Sequence, residues 1–354
     1  MSDPGRQRQT QRSTSWGWAR AFTRAFAGLM LLIVLAVVSL FVYPSTRPPA
    51  RTVRPAGTIS LDVPFRFTRP FIDYMTLEGP TLYVAFASHD LVGLIDTRAA
   101  RGMGVVSGLP RVHGVTLVPK LDLAFTSNGG DNTVGIVDLA RRRLLRKTPA
   151  GEDPDAILYD AKPQLVYVAN HDGKTATLLD PVSGAAVARI ALGGEPEYCQ
   201  ADPESGLVYQ NLQDTSEVVV VDPAKRAVVR RYKLDPGKGP TGLALDAGHH
   251  RLFSATANRK LVVLNSDTGE ILAVLPIGWG VDGAAYDPEL RRVYTANGLG
   301  SMTVIRQDSP DLYRVLENAP TRFGGHSLVV DPVTHRIYIA YFGSVAAYEP
   351  VAGE

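Results

Sequence analysis

The sequence predicts an all-β fold, and three observations carry that prediction. Short apolar runs alternate with turn residues along the whole chain after its first segment, with 33 Gly and 25 Pro in 354 residues. An aromatic residue in the second run of each group recurs as Tyr83, Phe125, Tyr167, Tyr209, Phe253, Tyr294 and Tyr338, at intervals of 41 to 44 residues. A polar residue closing the third run recurs with it, as Asp96, Asp138, Asp180, Asp222, Asn265, Gln307 and Glu349. A period near 42 residues, held seven times, marks a repeat architecture. Four strands per repeat leave no room for crossover helices. The repeats are therefore read as the four-stranded blades of a seven-bladed β-propeller.

Taken in order, the chain opens with a basic tail, residues 1–24, predicted to be cytoplasmic. Residues 25–43, AFAGLMLLIVLAVVSLFVY, carry no charge. As a helix they would span roughly 28 Å, close to the ~30 Å of a bilayer core. Arg6, Arg8, Arg12, Arg20 and Arg24 precede them, and Arg47, Arg51 and Arg54 follow. That asymmetry predicts a single-pass anchor in the inner membrane, with the N-terminus inside and the propeller in the periplasm. The alternative is a cleaved secretory signal. It fits less well, because the apolar run is long and leads directly to Tyr43, Pro44 and a Pro-rich linker, residues 44–57, with no small-residue cleavage site. The propeller itself is predicted over residues 58–354.

The anchor changes how the charge is read. Eight of the 37 basic residues, and only one acid (Asp3), lie in residues 1–54, so the body holds 29 basic against 34 acidic side chains. An acidic body is poorly suited to neutralising phosphates, which argues against nucleic acid as a partner. Cys199 is the only cysteine, so no internal disulfide forms. Its place within a strand predicts a buried thiol.

The unit 154–192 shows the blade pattern. Runs at 156–159, 165–169, 176–179 and 186–191 are labelled strands A to D. Corresponding A strands begin near Ile72, Gly114, Ala156, Tyr198, Gly242, Gly283 and Ser327. The seventh unit has A, B and C but no D before the chain stops. Residues 58–65, TISLDVPF, form an unassigned strand-like run ahead of the first A. If they fill the missing D position, pairing between the two ends closes the ring.

The motifs LVYVAN (165–170), RVYTAN (292–297) and LYVAF (82–86), each followed by a polar turn and another strand, resemble the YVTN β-propeller repeat. Residues 58–349 are similar to the YncE-like seven-bladed propellers. The aromatic-x-x-Asn pattern is complete in only three blades, ending at Asn128, Asn170 and Asn297. The resemblance implies the fold; it implies little about function, since one fold hosts many activities.

In a propeller the A strands line the central channel, and the D–A and B–C loops emerge together on one face. The residue before each A strand therefore rings one mouth of the channel: Phe71, His113, Asp155, Glu197, Thr241, Asp282 and His326. Three carboxylates and two imidazoles around one funnel are expected to attract a proton, a cation or a basic ligand group. His113, Asp155, Glu197, Asp282 and His326 also suit a divalent metal. The plainer reading is a wide, water-filled funnel. No cofactor is required by the sequence. No Gly-rich phosphate loop and no Gly-x-Ser-x-Gly elbow occurs. The chain thus reads as a binding platform at the cell envelope, with a protein or small-molecule ligand on the D–A/B–C face. The alternative is a funnel-centred metal- or cofactor-dependent enzyme of the hydrolase, lactonase or lyase type.

Overall fold

The computed structural model describes residues 30–31, 48–64 and 66–351. The predicted tail and anchor lie outside the described residues, apart from Met30 and Leu31. Among the described residues no helix is long and apolar enough to cross a membrane.

Seven antiparallel four-stranded sheets make up residues 53–350, each with its strands in sequence order A to D, except the sheet that closes the ring. The inner strands are Met75–Glu78, Val112–Val118, Pro154–Asp160, Pro196–Ala201, Pro240–Asp246, Val281–Asp287 and Leu328–Val330. Each lies beside the next, and the last lies beside the first, so they enclose a channel.

Blade 3 shows why these residues make this fold. Leu165–Asn170 pairs with Thr175–Leu179, placing Tyr167 opposite Leu178 and Val168 opposite Thr177. Both faces of this strand are covered by neighbouring blades, so it reads as a near-continuous apolar run. The recurring aromatics Phe125, Tyr167, Tyr209, Phe253, Tyr294 and Tyr338 are all buried there. Asn170 ends the strand. Its Nδ2 donates to Thr175 Oγ1 and Thr177 Oγ1, both at 3.1 Å, and its Oδ1 accepts from the Gly151 amide at 2.9 Å. The buried asparagine thus joins the B–C turn to the loop that leads into its own blade, leaving no polar atom orphaned.

The closing strand is Val53–Ser60, not residues 58–65. It pairs antiparallel with Ser344–Pro350, from Val53 opposite Pro350 to Ser60 opposite Ser344. Part of the expected linker is therefore strand. Pro55 looks like linker because it has no N–H to give a sheet. The D position is an outer edge, however, and a bulge between Pro55 and Gly57 absorbs it. Residues 61–64 leave the sheet, and Leu61 packs over Gly93 and Gly102, where a Cβ would collide with it. The chain is latched just before the strand. Glu317 accepts from the Thr52 amide at 2.9 Å and from Thr52 Oγ1 at 2.7 Å.

Candidate functional site

A local irregularity aims the mouth residues. In blades 2 to 6 the A–B register shifts just after the first residue of the inner strand: Val112/Gly114, Pro154/Ile157, Pro196/Cys199, Pro240/Leu243 and Val281/Gly283. His113, Asp155, Glu197, Thr241 and Asp282 each fall inside one of these bulges. A bulge bends the strand and re-aims the side chain.

The blade 1 member of the ring is Asp73, not Phe71. The Asp73 amide donates to Ala85 O, and the Ala85 amide to Tyr74 O. His326 does the same in blade 7, through Ala340 and Ser327. The two-residue shift has a simple cause. The A–B turn of blade 1 holds only Gly79 and Pro80, where blade 3 uses four residues between Asp160 and Leu165. Phe71 instead packs its ring edge-on against His326, with centroids 4.7 Å apart.

His113 is the centre of one cluster. Its Nδ1 lies 2.5 Å from Asp73 Oδ2 and 3.3 Å from Asp155 Oδ1. Its Nε2 faces Asp153 Oδ1 at 3.6 Å. Arg111 donates to the other oxygen of Asp153 at 3.1 Å, and Tyr74 donates to Asp155 Oδ2 at 3.3 Å. Buried serines fix the backbone: Ser127 Oγ donates to the Asp155 carbonyl and Ser327 Oγ to that of Asp73. Gly129 is needed beside this cluster, because a Cβ there would run into Asp153 Oδ1 and lie 2.7 Å from His113 Nε2.

Two further imidazoles face the same mouth. His326 Nδ1 pairs with Asp282. His171, in the B–C loop of blade 3, places Nε2 3.5 Å from Glu197 and Nδ1 2.9 Å from Asp172. Thr241 turns aside and donates to the Val281 carbonyl at 3.2 Å. Beneath the ring, a cavity of about 280 Å³ runs between the inner strands of blades 1 to 4, lined in part by Tyr74, Tyr198 and Gln200.

The charges act on one another across the mouth. Burial opposes the positive charge on His113, but the carboxylates of Asp153 and Asp73 outweigh it and raise its pKa to about 10. Glu197 raises His171 to about 9, against burial. Burial also opposes His326, yet Asp282 carries it to about 9. Asp155 goes the other way. Burial drives it well above the usual carboxylate range, and Asp73 and Glu197 add to this while His113 pulls it back. Glu197 is raised as well, by burial first, with Asp282 and Asp73 adding their repulsion against the pull of His171. The carboxylates outnumber what the imidazoles neutralise.

Sequence spacing located His113, Asp155, Glu197, Thr241 and Asp282 on the inner strands and His326 just before one. It missed Asp73, through the short turn, and Asp153 and Tyr74, which flank ring positions by one or two residues. Asp153 had one signal, the Asp-x-Asp of residues 153–155 at the start of an inner strand. Asn128, Asn170 and Asn297 are buried at the ends of their strands and hydrogen-bonded there, and Cys199 is a buried free thiol.

No family profile matches the chain, and no curated protein sequence does. Among solved structures, the chain is similar to the Kuenenia stuttgartiensis Hydrazine Synthase, with a TM-score of 0.71 over 84% of this chain and 98% of that one. Sequence identity is 18%, so the likeness establishes the propeller fold and nothing of the chemistry.

Proposed function

We propose that the chain is a membrane-held propeller of the YVTN kind, whose channel mouth binds a positively charged, partly apolar segment of another protein. Residues 1–24 stay in the cytoplasm, residues 25–43 span the inner membrane, and the propeller is periplasmic. The observation that carries the binding site is Asp155. Burial drives it toward its protonated form, and the charges of Asp73 and Glu197 add to this even with His113 in contact. A site with that surplus of negative charge gains from any cation it admits.

The protein partner is supported by what surrounds the mouth. Trp279 (57% exposed), Leu299 (55%), Phe323 (58%) and Phe342 (46%) lie in D–A and B–C loops of the same face. They follow one another in space: the Leu299 amide donates to Trp279 O at 3.3 Å, Gly300 packs against Phe323, and Gly324 lies under the Phe342 ring. Arg259 lies over Trp279, 4.4 Å from the ring centroid. An apolar rim beside an acidic funnel matches a segment that carries both basic and apolar side chains.

The test uses the full-length chain in detergent and a short labelled peptide alternating Lys and Leu. Binding is expected for this peptide and not for its Glu/Leu counterpart. Asp282→Asn and Trp279→Ala are each expected to weaken it about tenfold, the loss of roughly 1.4 kcal/mol. Equal affinity for the two peptides would overturn the reading.

A further inference from the structure

We propose that Asp73, His113 and Asp155 hold one divalent transition-metal ion at the channel mouth, with Asp153 positioning the imidazole from behind. The proposal rests on the reading of the mouth as a cation site and names one cation for it.

The donor set has the right chemistry. One imidazole nitrogen and two carboxylate oxygens, from Asp73, His113 and Asp155, lie within 4.8 Å of one another. Zinc bound by such ligands has bonds of about 2.0–2.1 Å, so a tetrahedral edge is about 3.3 Å. The separation of His113 Nδ1 from Asp155 Oδ1 is 3.3 Å. The separation from Asp73 Oδ2, 2.5 Å, is a hydrogen bond and must open.

Behind the ring there is room for that movement. His113 is 9% exposed and Asp153 7%, yet His113 Nε2 and Asp153 Oδ1 have no hydrogen-bond partner and stand 3.6 Å apart. Buried polar atoms rarely stay unpaired. A shift of the imidazole toward Asp153 by about 0.7 Å makes an ordinary N–H···O bond there. The same shift opens the Asp73 contact toward the length of a zinc-site edge and also draws Nδ1 back from Asp155, whose side chain must follow the ring to keep its 3.3 Å separation. One displacement therefore completes the hydrogen bond that is missing and makes the gap the metal needs. It also yields the carboxylate–histidine–metal relay that fixes which nitrogen binds the ion.

The ion takes the place of the Nδ1 proton of His113 and of any proton on Asp155, and both leave to solvent, while Nε2 keeps its hydrogen and donates it to Asp153. Three protein ligands leave a position open toward the channel for water or for a group of the bound segment. The carboxylates of Glu197 and Asp282 stay outside this set, beside His171 and His326.

The test is made on the full-length chain in detergent, purified without metal-affinity resin, stripped with chelator and dialysed against Zn²⁺. Elemental analysis is expected to give about one zinc per chain. Asp155→Asn and His113→Gln are each expected to weaken zinc at least tenfold, and Asp153→Asn by 10- to 100-fold, with melting curves checked for each variant. A zinc-induced shift of the His113 ring in the NMR spectrum of the unmutated chain reads the same contact without any variant. No retained zinc, or zinc held equally by Asp155→Asn and His113→Gln, overturns the proposal. If the stripped chain still binds the Lys/Leu peptide while no zinc is retained, the metal is wrong and the acidic mouth stands. If it binds neither, both readings fall.

Discussion

His326 and Asp282 show how single side chains set the behaviour of the mouth. Free histidine titrates near 6.5; in the fold His326 titrates at about 9, because Asp282 more than offsets burial. A histidine with a raised pKa stabilises the fold fully below the ordinary value. That contribution is lost as pH rises through the folded one. The window is therefore about pH 6.5 to 9, and His171 shares it. Melting temperature is expected to fall across this window, and His326→Gln is expected to flatten the fall. A melting curve series with the same slope in both proteins would count against the pairing. At this scale the sequence was legible where spacing is regular. Each ring residue of blades 2 to 7 lies twelve positions before its buried aromatic, as His113 does before Phe125. Asp73 breaks the count only because Gly79 and Pro80 make a shorter turn. The pairing of His113 with Asp153 was not legible, since it depends on a bulge and on the missing side chain of Gly129.

Among the elements, the closing strand decides whether the ring holds. Val53 and Ile59 are its buried residues, and the latch at Glu317 sits where the chain joins the sheet. Repeats pointed to a strand ahead of the first blade, but not to its limits. Thr58, Ile59 and Ser60 belong to it; the remainder was displaced because Pro55 and Arg54 resemble linker and residues 61–65 resemble strand. The edge position tolerates the proline, and the apolar residue beyond the strand, Leu61, is used to fill the space over two glycines. Glu317→Ala removes an ionised acceptor from two donors of Thr52. It is expected to cost about 1–3 kcal/mol, read as a lower denaturation midpoint with an unchanged slope. Val53→Asp is expected to cost more, because it buries a carboxylate with no partner provided. Midpoints equal to that of the unmutated chain would show that the ring closes without this strand.

For the molecule as a whole, the two faces differ in a way that bears on orientation. The closing strand runs from Val53 to Ser60, and Ser60 ends beside the B–C turn of blade 7, on the side of the mouth. The chain therefore joins the propeller on the opposite face. That face has a cavity of about 760 Å³ lined by Arg291, Arg292, Arg306 and Arg336, together with Glu289 and Glu349. If residues 25–43 are the anchor, residues 44–52 reach at most about 30 Å. The face with this cavity would then lie toward the membrane, and the acidic mouth would meet soluble partners. Cysteine labelling in membrane vesicles tests this. In a Cys199→Ser background, Trp279→Cys on the mouth face is expected to react with an impermeant maleimide as fast in vesicles as in detergent. Glu289→Cys on the other face is expected to react several-fold more slowly in vesicles. The reverse pattern would place the mouth against the bilayer and turn the rim of Trp279, Leu299, Phe323 and Phe342 from a site for a protein into a site for lipid. The labelling ratio therefore decides which of the two faces is open to a partner.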